Sequence, residues 1–359
     1  MHVGLSLSFQ NIDGRGDQEV WAAEVGLAER AAELGFDGVW ATEHHFSDYE
    51  ITPEPVQFLT YMAARHPTIK LGTMVVVLPW HDPVRVAEQV SVLDTLSGGR
   101  VILGLGRGIS KLEFDGFRIP MEESRERFIE AAEIVLSALE TGVIRFEGKH
   151  YQIPERRLRP APLASFRARS YAAALSPESY AIMARLRLGM LIIAIRSWEV
   201  VGEEMAGYRE TFAELNGEEP PAPLANAFVV CDADEGRARE LAQQYMANYW
   251  NSVIEHYQFK GEQYASVKGY EHYAKMSVEL RRDGPVEVID DFIDVQVWGT
   301  PAQCLDKALA IRELVGCETF LPVFGYGGMP AEVAMRSMEL FAREVMPPLQ
   351  ALAPVATRA

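Results

Sequence analysis

Four times along this chain a glycine stands between a segment with helical spacing of apolar residues and a short, continuous apolar run. The apolar runs begin just after Gly35, Gly99, Gly189 and Gly316. Glycine just past a helix adopts the left-handed conformation that ends it, and a continuous apolar run is typical of a strand covered on both faces. The pattern therefore predicts helices that each lead into a buried strand.

The strand-to-helix junctions carry the complementary signal. Asp82-Pro83, Ser176-Pro177 and Thr300-Pro301 each pair a capping side chain with proline at the first helical position. Such alternation implies parallel βαβ units. Eight strands are predicted, at about residues 2–9, 36–43, 69–78, 100–106, 168–175, 189–195, 225–231 and 318–324. Eight strands favour a closed α/β barrel, the (β/α)8 or TIM barrel, and no Gly-x-Gly-x-x-Gly follows the first strand as a dinucleotide-binding sheet requires.

Two segments interrupt this alternation. Residues 145–152 have the pattern of a small hairpin before the fifth strand, and residues 259–298 are long, polar and aromatic-rich. A connection of that length within a compact domain is typically a lid or a disordered segment. We therefore predict one barrel domain over residues 1–359, with residues 259–298, after the seventh strand, as a mobile lid.

Charge and cysteine usage argue against several classes of partner. The chain has 34 basic and 51 acidic residues, a net charge of −17, which argues against nucleic acid or an anionic membrane as the main partner. The N-terminus has no basic leader followed by an apolar core, and no run reaches the ~18 apolar residues of a membrane span. Cys231, Cys304 and Cys317 are too widely spaced for a disulfide framework or a zinc site. We therefore expect a reducing cytoplasm and no metal.

In a parallel barrel, catalytic groups lie at the carboxyl ends of the strands. The second strand ends in Glu43-His44-His45-Phe46. Adjacent residues of an extended chain point in opposite directions, so these two histidines cannot both face one metal ion. One of them is a candidate general base or hydrogen-bond donor in the barrel mouth, and the alternative is a histidine with a purely structural hydrogen bond.

Three further clusters could together hold a phosphate group. Arg107 lies between glycines at the end of the fourth strand, where the backbone can approach a ligand closely. Arg125 falls within the apolar stripe of a helix predicted over residues 121–139 and therefore needs an anionic partner. Ser176 and Ser179 begin the helix after the fifth strand, whose amide groups can bind an anion. Turn formation, a structural salt bridge and ordinary capping are the respective alternatives.

These residues, in this order, resemble the bacterial luciferase-like flavin-dependent monooxygenase family across essentially the whole chain. The segments that carry the resemblance are Phe36–Trp40 leading into Glu43–Phe46, Leu78–Glu88, Leu93–Arg100, Gly106–Gly108, Gly299–Cys304, Ser337–Phe341 and Val345–Pro347. The resemblance implies a TIM barrel that binds reduced FMN as a substrate and forms a flavin C4a-peroxide with O2. One oxygen atom then passes to an apolar organic compound such as an aldehyde or a ketone.

The same resemblance assigns site residues and partners. Carried over by position, His44 is the active-site histidine, and the residues that hold the flavin phosphate are Arg107, Arg125, Ser176 and Ser179. Met74 and Val75 form a bulge in the third strand beneath the flavin ring, where the family often has a non-proline cis peptide. A separate NAD(P)H:flavin reductase and a homodimer packed through residues 54–65 and 83–96 are also implied.

The implied chemistry requires a pocket that excludes water. Residues at strand ends that are placed to wall such a pocket are Trp80, Ile195, Trp198, Phe324 and Tyr326, although core packing is the commoner fate of aromatic residues there. Residues 259–298 would close over the pocket, and Lys268-Gly269-Tyr270 within them resembles a position in the family's mobile lid.

Three departures from the family pattern bear on whether the chain emits light. Gly106 replaces the reactive cysteine of luciferase, Ser110 replaces an aromatic residue near the flavin, and the sixth strand lacks a tryptophan. Light emission is therefore not expected, whereas oxygen activation is. Two alternatives remain: a deazaflavin (coenzyme F420) oxidoreductase of the same superfamily that transfers hydride, and a non-catalytic flavin-binding subunit. Glu43-His44-His45-Phe46 favours FMN, and His44 with the long lid-like segment argues against a non-catalytic subunit.

Overall fold

Parallel strands close into a barrel in the computed structural model, which describes residues 1–173, 177–265, 267, 270–283 and 285–354. The strands are β1 (His2–Leu7), β2 (Gly38–Ala41), β3 (Lys70–Thr73), β4 (Val76–Val77), β5 (Val101–Gly106), β6 (Val143–Glu147), β7 (Gln152–Arg157), β8 (Ser170–Ala173), β9 (Gly189–Ile193), β10 (Leu224–Cys231), β11 (Val297–Gly299) and β12 (Thr319–Val323). The barrel order is β1-β2-β3-β5-β8-β9-β10-β12, and β12 pairs with β1 to close the ring. The predicted eight-stranded parallel barrel is confirmed.

Helices surround the barrel. They are α1 (Asp17–Leu34), α2 (Pro55–Arg65), α3 (Pro83–Ser97), α4 (Lys111–Phe117), α5 (Ser124–Thr141), α6 (Pro177–Arg185), α7 (Trp198–Asn216), α8 (Glu235–His256), α9 (Glu271–Asp283), α10 (Pro285–Asp294), α11 (Pro301–Val315), α12 (Ala331–Glu344) and α13 (Met346–Gln350). Short 3-10 turns occupy Leu78–Trp80, Met121–Glu123 and Arg167–Arg169. No helix in the described part of the chain is long and apolar enough to cross a membrane.

The predicted helix boundaries hold at most junctions. The Asp82 carboxylate accepts from the backbone N–H groups of Val84 and Arg85 and so caps α3. Gly35 and Gly316 end α1 and α11 in the left-handed conformation, with φ of 90° and 70°. The prediction is wrong at Gly189, which is the first residue of β9. The left-handed residue after α6 is Arg187, with φ of 56°.

The third barrel strand is interrupted where the family resemblance implies a bulge. The peptide bond between Met74 and Val75 is cis, and it separates β3 from β4. Both parts still pair with β5, through Leu71 opposite Val101 and through Val76 opposite Leu105. The strand expected over residues 69–78 is therefore two short strands joined at Met74 and Val75.

Residues 259–298 are largely helical rather than a long loop. They contain α9, α10 and β11, and β11 adds to the barrel as a parallel neighbour of β10. Helix α10 packs on α8, where the ring of Phe292 stacks on Trp250 with centroids 4.6 Å apart. The polar composition of the segment gives little sign of this apolar face, which is buried because α8 and Phe228 of β10 lie against it. The hairpin predicted around residues 145–152 is present as β6 and β7.

One tryptophan fills the barrel interior over three glycines. A Cβ atom added at Gly4, Gly38 or Gly72 would lie between 2.0 and 2.8 Å from the Trp40 ring. Real Cβ atoms do not approach so closely, and closely packed interiors resist displacement of their side chains. The glycines on these strands therefore make room for the indole of Trp40, which is 1% exposed.

Replacing Gly72 by alanine is expected to lower the free energy of unfolding by about 1–3 kcal/mol, because the new methyl group overlaps the Trp40 indole. Chemical denaturation measures the loss. Gly26→Ala on α1 is the matched control, since nothing lies within 4 Å of a Cβ there and stability should hold or rise. Trp40→Leu should reduce the penalty of Gly72→Ala, and a penalty unchanged in that background would contradict the overlap.

Candidate active site

A cavity of about 190 Å³ lies at the carboxyl ends of β2, β4, β5, β8 and β9. The predicted site residues that line it are His44, Met74, Val75, Arg107, Arg125 and Ser179. Ser176 lies outside the described residues, as do Lys268 and Gly269. Apolar side chains form much of the remaining wall: Val77, Trp80, Phe128, Ile182, Leu191 and Ile193. The structure thus brings these residues from six separate stretches of sequence to one largely apolar cavity.

Two arginines give part of this cavity a positive charge. Arg107 follows β5 directly, and Arg125 is the second residue of α5. The Arg107 guanidinium lies 4.0 Å from the centroid of the Tyr270 ring. Burial raises the pKa of the Tyr270 phenol, and the charges of Arg107 and Arg125 both oppose that rise. Both guanidinium groups therefore act on the same small region.

Glycine is required beside Arg107 for steric reasons. A Cβ atom at Gly106 would lie 2.2 Å from Cγ2 of Val75, and one at Gly108 would lie 2.8 Å from the Trp80 ring. Gly108 also has φ of 76°, a conformation that side chains disfavour. The Gly-Arg-Gly pattern therefore lets β5 end directly against the cis peptide and Trp80. This close approach supports the reading of the glycines as part of the cavity rather than as an isolated turn.

His44 is paired with a carboxylate that the sequence did not single out. Its Nδ1 lies 3.0 Å from Oε1 of Glu113, which also accepts the backbone N–H of His45 at 2.8 Å. Glu113 is on α4 and its side chain is 1% exposed, whereas that of His44 is 15% exposed. Burial opposes protonation of His44, but the neighbouring Glu113 carboxylate outweighs it and raises the pKa of the imidazole.

The last residue of α8 and the residue after it stand on either side of this pair. Nε2 of His256 lies 3.7 Å from Oε1 of Glu113, and the Tyr257 hydroxyl lies 3.4 Å from Nε2 of His44. Nδ1 of His256 is 2.8 Å from the Ser47 hydroxyl. His44, Glu113 and His256 each place one potential ligand atom within 4.8 Å of the others. The site therefore contains a carboxylate between two imidazoles.

A second buried carboxylate organises the other side of the cavity. Glu43 accepts the backbone N–H of Val77 at 2.9 Å, Nε2 of His81 lies 2.7 Å from it, and Nε2 of His45 lies 3.1 Å from it. Burial raises the pKa of Glu43, but these hydrogen bonds from His45 and His81 outweigh it and lower the pKa overall. Glu43 therefore fixes β4 and two histidines around one ionised carboxylate, and His45 and His44 do point to different partners.

Glu113→Gln is expected to remove an acid-sensitive contribution to stability. Burial alone would raise the pKa of Glu113, but His44 and His256 lower it to about 2 from an ordinary value of 4.5. A carboxyl whose pKa is lower in the folded state stabilises the fold above pH 4.5, and the contribution is lost as the pH falls towards 2. The variant should therefore be less stable by on the order of 2 kcal/mol near neutral pH, and this gap should narrow on acidification. Denaturant unfolding across that range measures it, and a gap independent of pH would contradict the assignment.

Sequence reasoning missed Glu113, His256, Tyr257 and Tyr273, all of which line or adjoin the cavity. Three of them belong to segments after β10 that read as polar helix or loop, and Glu113 lies in a short helix after the fourth strand. A signal existed for Glu113 in its position seven residues after the end of β5, close to Arg107 in the chain. No local signal marked the others, because their place depends on how α8 ends.

Of the aromatic and apolar residues expected to wall the pocket, Trp80 does so. The other four are outside the cavity lining among the described residues. The Trp198 indole donates to the Val295 carbonyl at 2.8 Å, and the Tyr326 hydroxyl donates to the Val229 carbonyl at 3.2 Å. Phe324 packs against the ring of Phe341. These three side chains are buried and belong to the core of the protein outside the cavity.

Comparisons with known sequences point to one family. A family model described as luciferase-like monooxygenase matches residues 1–317. The alkanal monooxygenase alpha chain of Photobacterium leiognathi is 26% identical over 345 residues, which cover 94% of this chain and 96% of that protein. The alkanal monooxygenase alpha chain of Photorhabdus luminescens is 24% identical over 333 residues, 92% of each chain.

Solved structures share the whole fold. The monooxygenase RslO1 from Streptomyces bottropensis has a TM-score of 0.81 at 25% identity, covering 97% of this chain and 99% of that one. The oxygenating constituent of 3,6-diketocamphane monooxygenase from Pseudomonas putida is a type II Baeyer-Villiger monooxygenase solved in complex with FMN. It has a TM-score of 0.72 at 20% identity, covering 97% of this chain and 98% of that one. A coenzyme F420-dependent tetrahydromethanopterin reductase from Methanopyrus kandleri has a TM-score of 0.67 at 20% identity, covering 97% of this chain and 99% of that one. The last two likenesses show the fold alone.

Proposed function

The chain belongs to the luciferase-like monooxygenase family, and from that premise we propose that it binds reduced FMN and uses O2 to oxygenate an apolar organic substrate such as an aldehyde or a ketone. The observation that carries the proposal is the convergence of His44, Arg107, Arg125 and Ser179 on one largely apolar cavity. The two arginines can bind a phosphate group, and the apolar wall can pack against a planar ring system. The His44–Glu113 pair can transfer a proton.

The side chains present fit FMN as a ligand. Arg107, Arg125 and Ser179 would hold the phosphate, because guanidinium and hydroxyl groups donate hydrogen bonds to phosphate oxygens. The two guanidinium charges would also offset the protein's net charge of −17, which by itself repels an anion. Met74 and Val75 would lie under the ring system, at the break between β3 and β4. The reduced flavin supplies the two electrons with which one atom of O2 is reduced to water while the other enters the substrate.

The protein's own contribution to the chemistry centres on His44. Glu113 fixes the imidazole through Nδ1, so that Nε2 is the nitrogen available to hold or deliver a proton at the cavity. The apolar wall excludes water from the reacting groups. Tyr273 also lines the cavity, and the Tyr270 hydroxyl donates to the Gly108 carbonyl at 2.8 Å. These contacts support a role for residues 259–298 as a lid within a single functional domain of residues 1–359.

Hydride transfer with a deazaflavin is the second candidate, because a coenzyme F420-dependent reductase has the same fold. Titration of the chain with reduced FMN and with reduced deazaflavin separates the two, followed by rapid mixing of each complex with O2. We expect tight binding of reduced FMN and its oxidation by O2 on the protein. Binding of the deazaflavin alone, with no acceleration of reduced FMN oxidation, would contradict the FMN proposal.

The remaining parts of the proposal concern partners. We propose a separate NAD(P)H:flavin reductase as the source of reduced FMN, a homodimer and a cytoplasmic location. Exposed apolar side chains on α2 and α3 support the dimer, since Tyr61 is 46% and Leu96 is 62% exposed. Light emission is not part of the proposal, because Gly106 and Ser110 stand where luciferase has a cysteine and an aromatic residue.

A further inference from the structure

We propose that His256 and Ser47 connect the His44–Glu113 pair to solvent and carry the proton that His44 exchanges with the cavity. This inference deepens the proposed function and rests on it for its biological purpose, although the path itself is a property of the flavin-free chain. It assigns His256 a role in proton movement at a distance from the cavity wall. Nothing in the sequence pattern pointed to that role.

The path is a row of groups that can accept and donate protons. The Tyr257 hydroxyl lies at Nε2 of His44, and Nδ1 of His44 lies 3.0 Å from Glu113. Glu113 faces Nε2 of His256 at 3.7 Å, and Nδ1 of His256 lies 2.8 Å from the Ser47 hydroxyl. An imidazole can take a proton on one nitrogen and release one from the other, so each histidine can pass a proton along this row.

The two ends of the row differ in solvent contact. Glu113 and His256 have side chains 1% exposed, so neither meets bulk water. Ser47 is half-buried and the next residue, Asp48, is exposed, on the loop that follows the second barrel strand. The row therefore begins at the cavity and ends at the surface on the far side of His256.

The join between Glu113 and His256 has unused hydrogen-bonding capacity. Oε2 of Glu113 and Nε2 of His256 are buried atoms that have no hydrogen-bond partner among the described residues. Buried polar groups without partners are uncommon and indicate a role beyond packing. The 3.7 Å between Nε2 of His256 and Oε1 of Glu113 would need to shorten by under about 1 Å to reach hydrogen-bond distance. His256 is held for such a contact by the ring of Tyr49, which stacks on it with centroids 4.6 Å apart.

The chemistry requires proton delivery into a dry cavity. When anionic reduced FMN, O2 and substrate give FMN, oxygenated substrate and water, the flavin loses two electrons and one proton is taken up to balance the charge. Without substrate, the same reactants give FMN and hydrogen peroxide, again with uptake of one proton. The row through His256 supplies groups that can carry this proton from the surface, and its longest step is the 3.7 Å between Glu113 and His256.

The test measures proton exchange at His44 in the flavin-free chain. In protein labelled with 15N-histidine, NMR reports how fast the imidazole N–H of His44 exchanges with water. His256→Phe keeps an aromatic ring against Tyr49 and removes both nitrogens, and it should slow this exchange by about 10-fold. His256→Ala should slow it equally, and added imidazole should restore it by occupying the vacated space. Ser47→Ala should give a smaller slowing, and circular dichroism confirms that each variant is folded.

His150→Ala is the matched control, because His150 has a side chain 6% exposed and lies on the hairpin away from the cavity. It should leave exchange at His44 unchanged and insensitive to imidazole. Exchange as fast in folded His256→Phe as in the wild type would overturn the path, and so would slowing in His256→Ala that imidazole does not relieve. A change in exchange on treatment of the wild type with a chelator would also overturn it, in favour of a metal ion between the three side chains.

Failure of the proposed function gives a different pattern. Oxidation of protein-bound reduced FMN by O2 is followed by rapid mixing in the same variants. Slower exchange at His44 in His256→Phe, with no oxidation of reduced FMN by the wild-type chain, would contradict the monooxygenase proposal and keep the path. Oxidation of reduced FMN by the wild-type chain, with proton exchange at His44 unaltered in His256→Phe, would contradict the path and keep the monooxygenase proposal.

Discussion

Replacing Arg107 by alanine is expected to weaken FMN binding by about 10- to 100-fold and to leave riboflavin binding unchanged, because one charge-assisted hydrogen bond contributes roughly 1.5–3 kcal/mol. The two ligands share the ring system and differ in the phosphate. The guanidinium of Arg107 follows β5 into the cavity and lies against the Tyr270 ring. With a net charge of −17, the protein as a whole repels a phosphate, so the local cations must supply the attraction.

Fluorescence titration with FMN and with riboflavin measures the effect. Arg85→Ala is the matched control, since the Arg85 side chain is 70% exposed on α3 and pairs with Glu88 at the surface. Its loss should change neither affinity. Raising the ionic strength should weaken FMN binding to the wild type more than to the Arg107 variant. Equal losses for FMN and riboflavin would show that Arg107 supports the cavity wall and does not bind the phosphate.

The barrel could be predicted because its signals are local. Glycines and capping residues mark where helices end and begin, and these signals placed seven of eight strands within about three residues of their ends. The break at Met74 and Val75 was expected from resemblance, since no propensity marks a cis peptide between two apolar residues. The prediction that Gly189 ends a helix was wrong, because a glycine before a strand has the same local pattern whether it caps the helix or is the first residue of the strand.

The helical character of residues 259–298 could not be predicted from composition. The apolar face of α10, with Phe292 and Ile293, is short and surrounded by acidic residues, and it is buried against α8 and against Phe228 of β10. In the same way β11 is three residues long and exists because the end of β10, residues 229–231, extends past the residues that pair with β9 and β12. Tertiary partners decide such elements, and a single sequence does not reveal which partners meet.

The site divides along similar lines. Residues at strand ends, such as His44 and Arg107, were found because barrel topology fixes where those ends meet. Glu113 and His256 were missed because each is useful only through the other, and 143 positions separate them in the chain. The sequence predicted a histidine with one role. The structure shows a histidine whose proton affinity is set by a carboxylate and whose carboxylate faces a second histidine.

Replacing His44 by alanine is expected to leave FMN binding intact and to lower the yield of oxygenated product by on the order of 100-fold or more, because positioned acid–base groups contribute that much to a reaction. Glu113 holds the imidazole at Nδ1, and Nε2 is directed to the cavity beside Tyr257. Without the imidazole, the Tyr257 hydroxyl and the Glu113 carboxylate lose the two nitrogen atoms between them that accept and release the proton. Oxygen consumption should then be diverted to hydrogen peroxide, approaching one peroxide for each O2 consumed.

Oxygen uptake and peroxide release, measured with a panel of apolar aldehydes and ketones, give this ratio directly. His150→Ala again serves as the control and should keep the wild-type ratio, because its imidazole pairs with Glu126 on the outer face. Glu113→Ala should resemble His44→Ala in its product ratio, since it removes the carboxylate that fixes Nδ1 of His44 and raises the pKa of its imidazole. It should also lower stability, because burial then disfavours the protonated imidazole with no carboxylate to offset it. An unchanged product ratio in His44→Ala, with FMN bound as tightly as in the wild type, would show that His44 takes no part in the reaction. Of the proposed roles of the cavity, only binding of the FMN phosphate would then still be supported.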